Sequence, residues 1–169
     1  DDFPGCIGVV DLIYNPNRTK LILDAMERGI PAVSGLGMLV AQGFKASELF
    51  QGKELDSEEI SIAIEEIRDV TLNRILIGMP GAGKTFLGMK MAEATGREFV
   101  DIDDEIEADE GMSVAQIFEE KGEAYFRKLE TEKLRQMCKR RGLIIATGGG
   151  VVKTKENCKI IRQNGTVIW

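Results

Sequence analysis

The chain has 169 residues, 43% hydrophobic and 30% charged, so it can bury a core and is not a disordered tract. Its net charge of −6 argues against a nucleic-acid or anionic-membrane surface, which would need clustered Lys and Arg. With no histidine, Ser–His and Cys–His nucleophile pairs are excluded, and Cys6, Cys138 and Cys158 lack any metal or redox spacing, as expected of reduced thiols in a cytoplasmic protein.

The chain starts at Asp1 without a methionine, which reads as a fragment. No signal peptide is visible, and no apolar run approaches the ~18 residues of a membrane span. Residues 7–14, IGVVDLIY, form an apolar run that stops at the turn signal Asn15-Pro16. Thr19 is placed to cap a helix running to about Arg28 and ended by Gly29. A short strand near Ile30 to Val33 leads through SGLG into a helix from about Met38 to Phe50. Asp56 with Glu59 opens a third helix, whose Ile60, Ile64 and Ile67 share a packing face.

From Leu72 the pattern becomes strand, glycine loop, helix, strand, helices, strand, helix, strand. The expected strands are Leu72 to Ile77, Glu98 to Ile102, Leu143 to Ala146 and Thr166 to Trp169. The helices run from Lys84 to Thr95, from the Ser113/Gln116 capping box to about Lys121, and from Glu123 to Arg141. The basic run Lys139, Arg140, Arg141 then falls at a helix C-terminus, where the dipole attracts it. Alternating strands and helices imply an α/β domain, a parallel sheet with helices on both faces.

Four stretches carry chemistry. GMPGAGKT, Gly78 to Thr85, fits the phosphate-binding pattern G-x-x-x-x-G-K-[ST] between a strand and a helix. Gly78, Gly81 and Gly83, with Ala82 between the last two, let main-chain N–H groups turn inward around an anion. Lys84 sets a charge against the β- and γ-phosphates, Thr85 offers a hydroxyl to Mg²⁺, and the helix start adds its dipole. This half is expected to bind ATP. In FVDIDDEIE, Asp101 and Asp103 are two apart at a strand end, so both side chains would leave on one face. They could serve Mg²⁺, orient an attacking hydroxyl or grip a polyol; an acidic helix start explains the run about equally well, though Asp103 itself reads as functional. In GEAYFRKLE, Arg127 and Glu130 are three apart and can face one ligand or each other. An arginine fork suits a small carboxylate. Phe118 and Phe126 read as core, or as an aromatic wall beside a flat ring. In IIATGGGVV, Gly148, Gly149 and Gly150 after a buried strand fit a backbone that must approach a ligand.

In this order the four stretches closely resemble the shikimate kinase family, over residues 72–169. The resemblance implies transfer of the ATP γ-phosphoryl to the 3-hydroxyl of shikimate, with Mg²⁺. It assigns the hydroxyl grip and the base to Asp103, the shikimate carboxylate to Arg127, and the pocket lining to Gly148, Gly149 and Gly150. Thr85 would ligate the metal and Asp101 would help place it through water. Phe86 departs from the small hydroxyl residue usual after Thr85. Family members continue past the fourth strand through an arginine-bearing lid, a second substrate-binding arginine and a last strand. This chain alone is therefore expected to be at best a weak kinase.

Residues 1–68 are similar to the C-terminal end of shikimate dehydrogenase, an NADP enzyme, through DLIYNPNRT and SGLGMLVAQG. That likeness would put Tyr14 and Gln42 at shikimate and Gly35 beside the nicotinamide. The dinucleotide loop and the catalytic Lys and Asp of that family are absent, so hydride transfer is not expected of this part. The whole reads as a window across a dehydrogenase–kinase fusion, with residues 69–71 as a short linker. Two other readings remain: a small P-loop kinase for gluconate or a nucleotide, and a nucleotide-holding fragment without catalysis.

Overall fold

The computed structural model describes residues 3–52, 54 and 56–169; Asp1, where the chain starts, lies outside them. The described residues divide into two compact units, meeting in sequence between Thr71 and Leu72. In the first unit, β1 (Val9–Val10) pairs in parallel with β2 (Ala32–Val33), flanked by α1 (Lys20–Glu27), α2 (Leu36–Gln51) and α3 (Ser57–Thr71). Thr19 caps α1 as expected, its hydroxyl accepting from the Ile22 N–H at 3.3 Å. The small core centres on Ile22, Leu23, Ala25, Leu36 and Val40.

Three boundaries in this unit differ from expectation. The helix expected from Met38 starts at Leu36, because Gly35 is its N-cap residue and donates its N–H to the Ile13 carbonyl at 3.1 Å. Gly35 allows a close approach: a Cβ there would fall 2.0 Å from the Leu12 carbonyl oxygen. Residues 69–71, expected as a linker, form the last turn of α3. The apolar run of residues 7–14 yields only a two-residue strand, since its single neighbour, β2, is equally short.

The second unit is a four-stranded parallel sheet in the order β4-β5-β3-β6. Its elements, in chain order, are β3 (Asn73–Leu76), α4 (Lys84–Thr95), β4 (Phe99–Asp101), α5 (Ile102–Glu110), α6 (Val114–Lys121), α7 (Glu123–Cys138), β5 (Ile144–Ala146), a 3-10 turn (Val151–Lys153), α8 (Lys155–Asn164) and β6 (Gly165–Ile168). β3 pairs on both sides, Leu76 aligning with Ala146 and with Ile168. That interior place explains why Ile75 and Leu76 are almost wholly buried. Asp101 aligns with Ala146, so the loops after β3, β4 and β5 leave the sheet at one carboxyl edge.

The α4 boundaries and the Ser113/Gln116 capping box are as expected. Other boundaries move, β3 and β5 among them by one residue. β4 ends at Asp101 rather than Ile102, and β6 runs from Gly165 to Ile168. α7 stops at Cys138 rather than Arg141 because Asn73 intervenes from β3. Its Nδ2 donates to the Arg140 carbonyl at 3.0 Å and its Oδ1 accepts from the Leu143 N–H at 2.9 Å. Cys138 is buried, which pushes its thiol up to about 12, and all three cysteines are free. Among the described residues no helix is long and apolar enough to cross a membrane.

Candidate active site

The loop between β3 and α4 turns on three glycines with positive φ: Gly78 at 147°, Gly81 at 78° and Gly83 at 81°. Gly83 leads directly into the first turn of α4, so the helix N-terminus opens onto the concavity of the loop. Lys84 folds back across the loop, donating to the carbonyls of Gly78 at 3.0 Å and Met79 at 2.9 Å. Ala82 closes a turn by donating its N–H to the Met79 carbonyl at 3.2 Å.

Thr85, one residue into α4, donates its hydroxyl to Asp101 Oδ2 at 2.8 Å. The other carboxylate oxygen of Asp101 accepts the Asp103 N–H at 3.1 Å and so caps α5. The expectation that Asp101 and Asp103 project from one face of a strand is therefore corrected. Asp101 ends the strand, and Asp103 belongs to the first turn of a helix. The acidic helix start and the carboxylate expected to be functional are the same feature.

Asp103 is partly buried, and its Oδ1 is fully enclosed without a hydrogen-bond partner. Burial holds its carboxyl above the usual range, Asp101 and Asp104 add to this, and Lys84 and Arg127 oppose it. Glu130, on α7, is wholly buried. Burial likewise raises its carboxyl against the pull of Arg127, with Asp103 adding to the rise. Arg127 Nη1 donates to both Glu130 oxygens, at 3.2 and 3.1 Å, while Nε and Nη2 reach Glu123. Of the two readings of Arg127 and Glu130, facing each other is the one observed.

The three glycines after β5 each meet a different part of this assembly. A Cβ on Gly148 would lie 2.9 Å from Asp103 Oδ1 and 2.9 Å from Glu130 Oε1. On Gly149 it would strike Pro80 Cδ at 2.4 Å, and on Gly150 the Arg127 guanidinium at 2.4 Å. The backbone thus approaches two carboxylates, the phosphate-type loop and the arginine in three consecutive residues. Thr147 anchors the approach by donating its hydroxyl to the Leu76 carbonyl at 2.9 Å, tying the end of β5 to that of β3.

Phe126 is buried and stacks at 4.8 Å on the half-buried Phe118, so both belong to the packing, with the Arg127 guanidinium 5.4 Å from the Phe126 ring. Asn157 on α8, which the sequence reading passed over, is fully buried and donates to Glu130 Oε2 at 3.5 Å. Its only signal was its place on the inward stripe with Ile160 and Ile161. Phe86 is 71% exposed on α4. In the first unit, Tyr14 is 44% exposed, Gln42 is exposed on α2, and Gly35 is buried at its start.

Among the described residues no group of three or more His, Cys, Asp or Glu could hold a metal ion. The hard oxygens of Thr85 and Asp101 suit Mg²⁺, which keeps several waters and relies on substrate phosphates. The donor set fits an ion held mainly by a nucleotide and only touched by the protein.

A family model described as shikimate kinase matches residues 80–169. The shikimate kinase of Bordetella avium is 45% identical over 119 residues, 68% of this chain and 57% of that protein. That of Persephonella marina is 45% identical over 97 residues, 57% of this chain and 59% of that protein. The chain thus spans less than two thirds of the curated relatives it matches. Among solved structures, shikimate kinase from Acinetobacter baumannii in complex with shikimate superposes with a TM-score of 0.58 at 41% identity, covering 60% of this chain and 57% of that one. Shikimate kinase from Aquifex aeolicus gives a TM-score of 0.55 at 38% identity, covering 57% of each chain.

Proposed function

The chain belongs to the shikimate kinase family, and from that premise we propose that residues 72–169 carry the ATP site and much of the acceptor site of an enzyme that phosphorylates the 3-hydroxyl of shikimate. The observation that supports this most is the convergence on Gly148–Gly150. One glycine lies against Asp103 and Glu130, one against Pro80 of the phosphate-type loop, and one against Arg127. A carboxylate that can take a proton and an arginine that can hold an acid group thereby share a wall with the loop that would hold the phosphates.

In this reading the main-chain N–H groups of residues 81–85 cradle the nucleotide phosphates, and Lys84 leaves the carbonyls of Gly78 and Met79 to neutralise charge on the γ-phosphoryl. Arg127 binds the shikimate carboxylate through its fork. Asp103 accepts a hydrogen bond from the reacting hydroxyl and takes its proton as the phosphoryl group transfers. Gly148, Gly149 and Gly150 line the acceptor pocket with bare backbone that lets Asp103, Pro80 and Arg127 draw close around it. Thr85 would ligate Mg²⁺ and Asp101 would help place it through water; the ion would supply neutralisation of phosphate charge. Enclosure of Asp103 strengthens its basicity towards a hydroxyl, the direction a general base requires.

For the first unit we infer the C-terminal end of a shikimate dehydrogenase-like domain, with Tyr14 and Gln42 as former substrate contacts and Gly35 as the nicotinamide-side glycine. What supports it is the close seat of Gly35 against Leu12, which demands glycine at that place.

Calorimetry with ADP, shikimate and gluconate tests the kinase reading. Saturable binding of ADP and of shikimate, with no heat from gluconate, is expected. ADP binding without shikimate binding would reduce the chain to a nucleotide-holding fragment, and gluconate binding would replace the acceptor.

A further inference from the structure

The inward stripe of α8 consists of Asn157, Ile160 and Ile161, of which Asn157 alone is polar. It is fully enclosed, its Nδ2 reaches Glu130 Oε2 at 3.5 Å, and its Oδ1 has no partner. Packing alone does not explain this choice. A leucine would fill similar volume without stranding an acceptor away from water.

The carboxylate that Asn157 touches is itself wholly buried and sits between unlike neighbours. Arg127 pulls it from one side, and Asp103 crowds it across Gly148 from another. The second ion pair of Arg127, with Glu123, involves a carboxylate whose side chain is 60% exposed, so it restrains the guanidinium less. The rigid support of Arg127 is therefore Glu130, and the polar side chain behind Glu130 is Asn157. Resting on the acceptor site described above, we propose that Asn157 is a positioning residue: acting through Glu130, it fixes the Arg127 guanidinium beside Gly150 in the orientation that receives the acceptor's carboxylate.

The chain of force is short. The amide N–H of Asn157 favours a charged Glu130 in one rotamer, and that carboxylate in turn holds the guanidinium plane. Removal of the donor leaves Glu130 answering only to Arg127 and Asp103, so the arginine fork loses its fixed plane before any ligand arrives.

Asn157→Leu removes donor and stranded acceptor together while keeping the bulk. The expected result is a Tm equal to or above that of the unaltered chain, unchanged ADP affinity, and a shikimate Kd raised about tenfold, as for one weakened charge-assisted hydrogen bond. The Arg127 guanidinium N–H signals in nuclear magnetic resonance, sharp only while rotation is held, should broaden with no ligand present. Those signals decide the matter: unchanged lines in a folded Asn157→Leu chain overturn the proposal. If that variant fails to fold, Asn157→Asp keeps the shape and sets a like charge against Glu130. It should broaden the same lines at neutral pH, and lines matching the unaltered chain again overturn the idea. Failure of the unaltered chain to bind shikimate would sink the acceptor assignment, whereas the role of Asn157 stands or falls on the ligand-free signals.

Discussion

The guanidinium of Arg127 lies so close over Gly150 that a single added carbon would sit 2.4 Å from both Nη1 and Nη2. Gly150→Ala is therefore expected to push the fork out of plane while sparing the phosphate-type loop. One displaced charge-assisted contact corresponds to about 1.5–3 kcal/mol. Shikimate affinity should fall at least about tenfold, with ADP affinity within twofold of the original, as read by calorimetry. Equal weakening of both ligands would mean that the substitution had disturbed the loop cluster as a whole.

Lys84 is held by two carbonyls of its own loop, at 3.0 and 2.9 Å, so its charge already points into the concavity. Lys84→Met should lower ADP affinity by about ten- to a hundredfold, the worth of one or two charge-assisted contacts to phosphate. Lys84→Arg should not restore it, because a planar fork cannot take the place of a compact ammonium in so tight a turn. Shikimate binding measured without nucleotide should be unaffected by either change.

As the proposed base, Asp103 should pit activity against stability. Burial, assisted by Asp101, raises its carboxyl above the ordinary 3.8, so in the pH window between 3.8 and the folded value the folded state keeps a proton that the unfolded state has released. Its contribution to stability is therefore greatest below 3.8 and declines as pH rises through the folded value. Asp103→Asn removes that decline. Thermal melts should show a higher Tm for the variant at neutral pH, and the gain should shrink to nothing as pH falls below 3.8. Phosphoryl transfer to shikimate by the complete enzyme should drop by about 10²–10⁴-fold, the usual loss when a general base is removed. Retained turnover would deny Asp103 the role of base.

How much of this was legible in the sequence depended on whether chemistry was local. The loop from Gly78 to Thr85 could be read because its spacing is itself the device, and the boundaries of α4 followed from it. Asp101 and Asp103 stand out as candidates in the sequence but read as strand-end residues, because a carboxylate pair two apart fits alternation as well as it fits a cap and a first turn. The triple glycine announced a close approach without revealing to what. Its neighbours come from α5, α7 and the phosphate-type loop, and only folding brings them there. The end of α7 and the role of Asn157 depend on partners 67 and 27 residues away, which no local pattern records.

The first unit offers an independent check. Gly35 is wedged against the Leu12 carbonyl, so Gly35→Ala cannot be accommodated without moving backbone. Loss of hydrogen-exchange protection across α1 and α2 is expected, while the amides of β3 and β5 keep theirs. Comparable deprotection in both units would show that they unfold as one.

Pro80 and Gly149 touch with no space for even a methyl group between them. One carries the tip of the loop assigned to the donor, the other the middle of the floor assigned to the acceptor. A shift of Pro80 towards Gly149 would meet backbone at once, so a ligand that draws the loop inward is expected to be felt on the neighbouring floor.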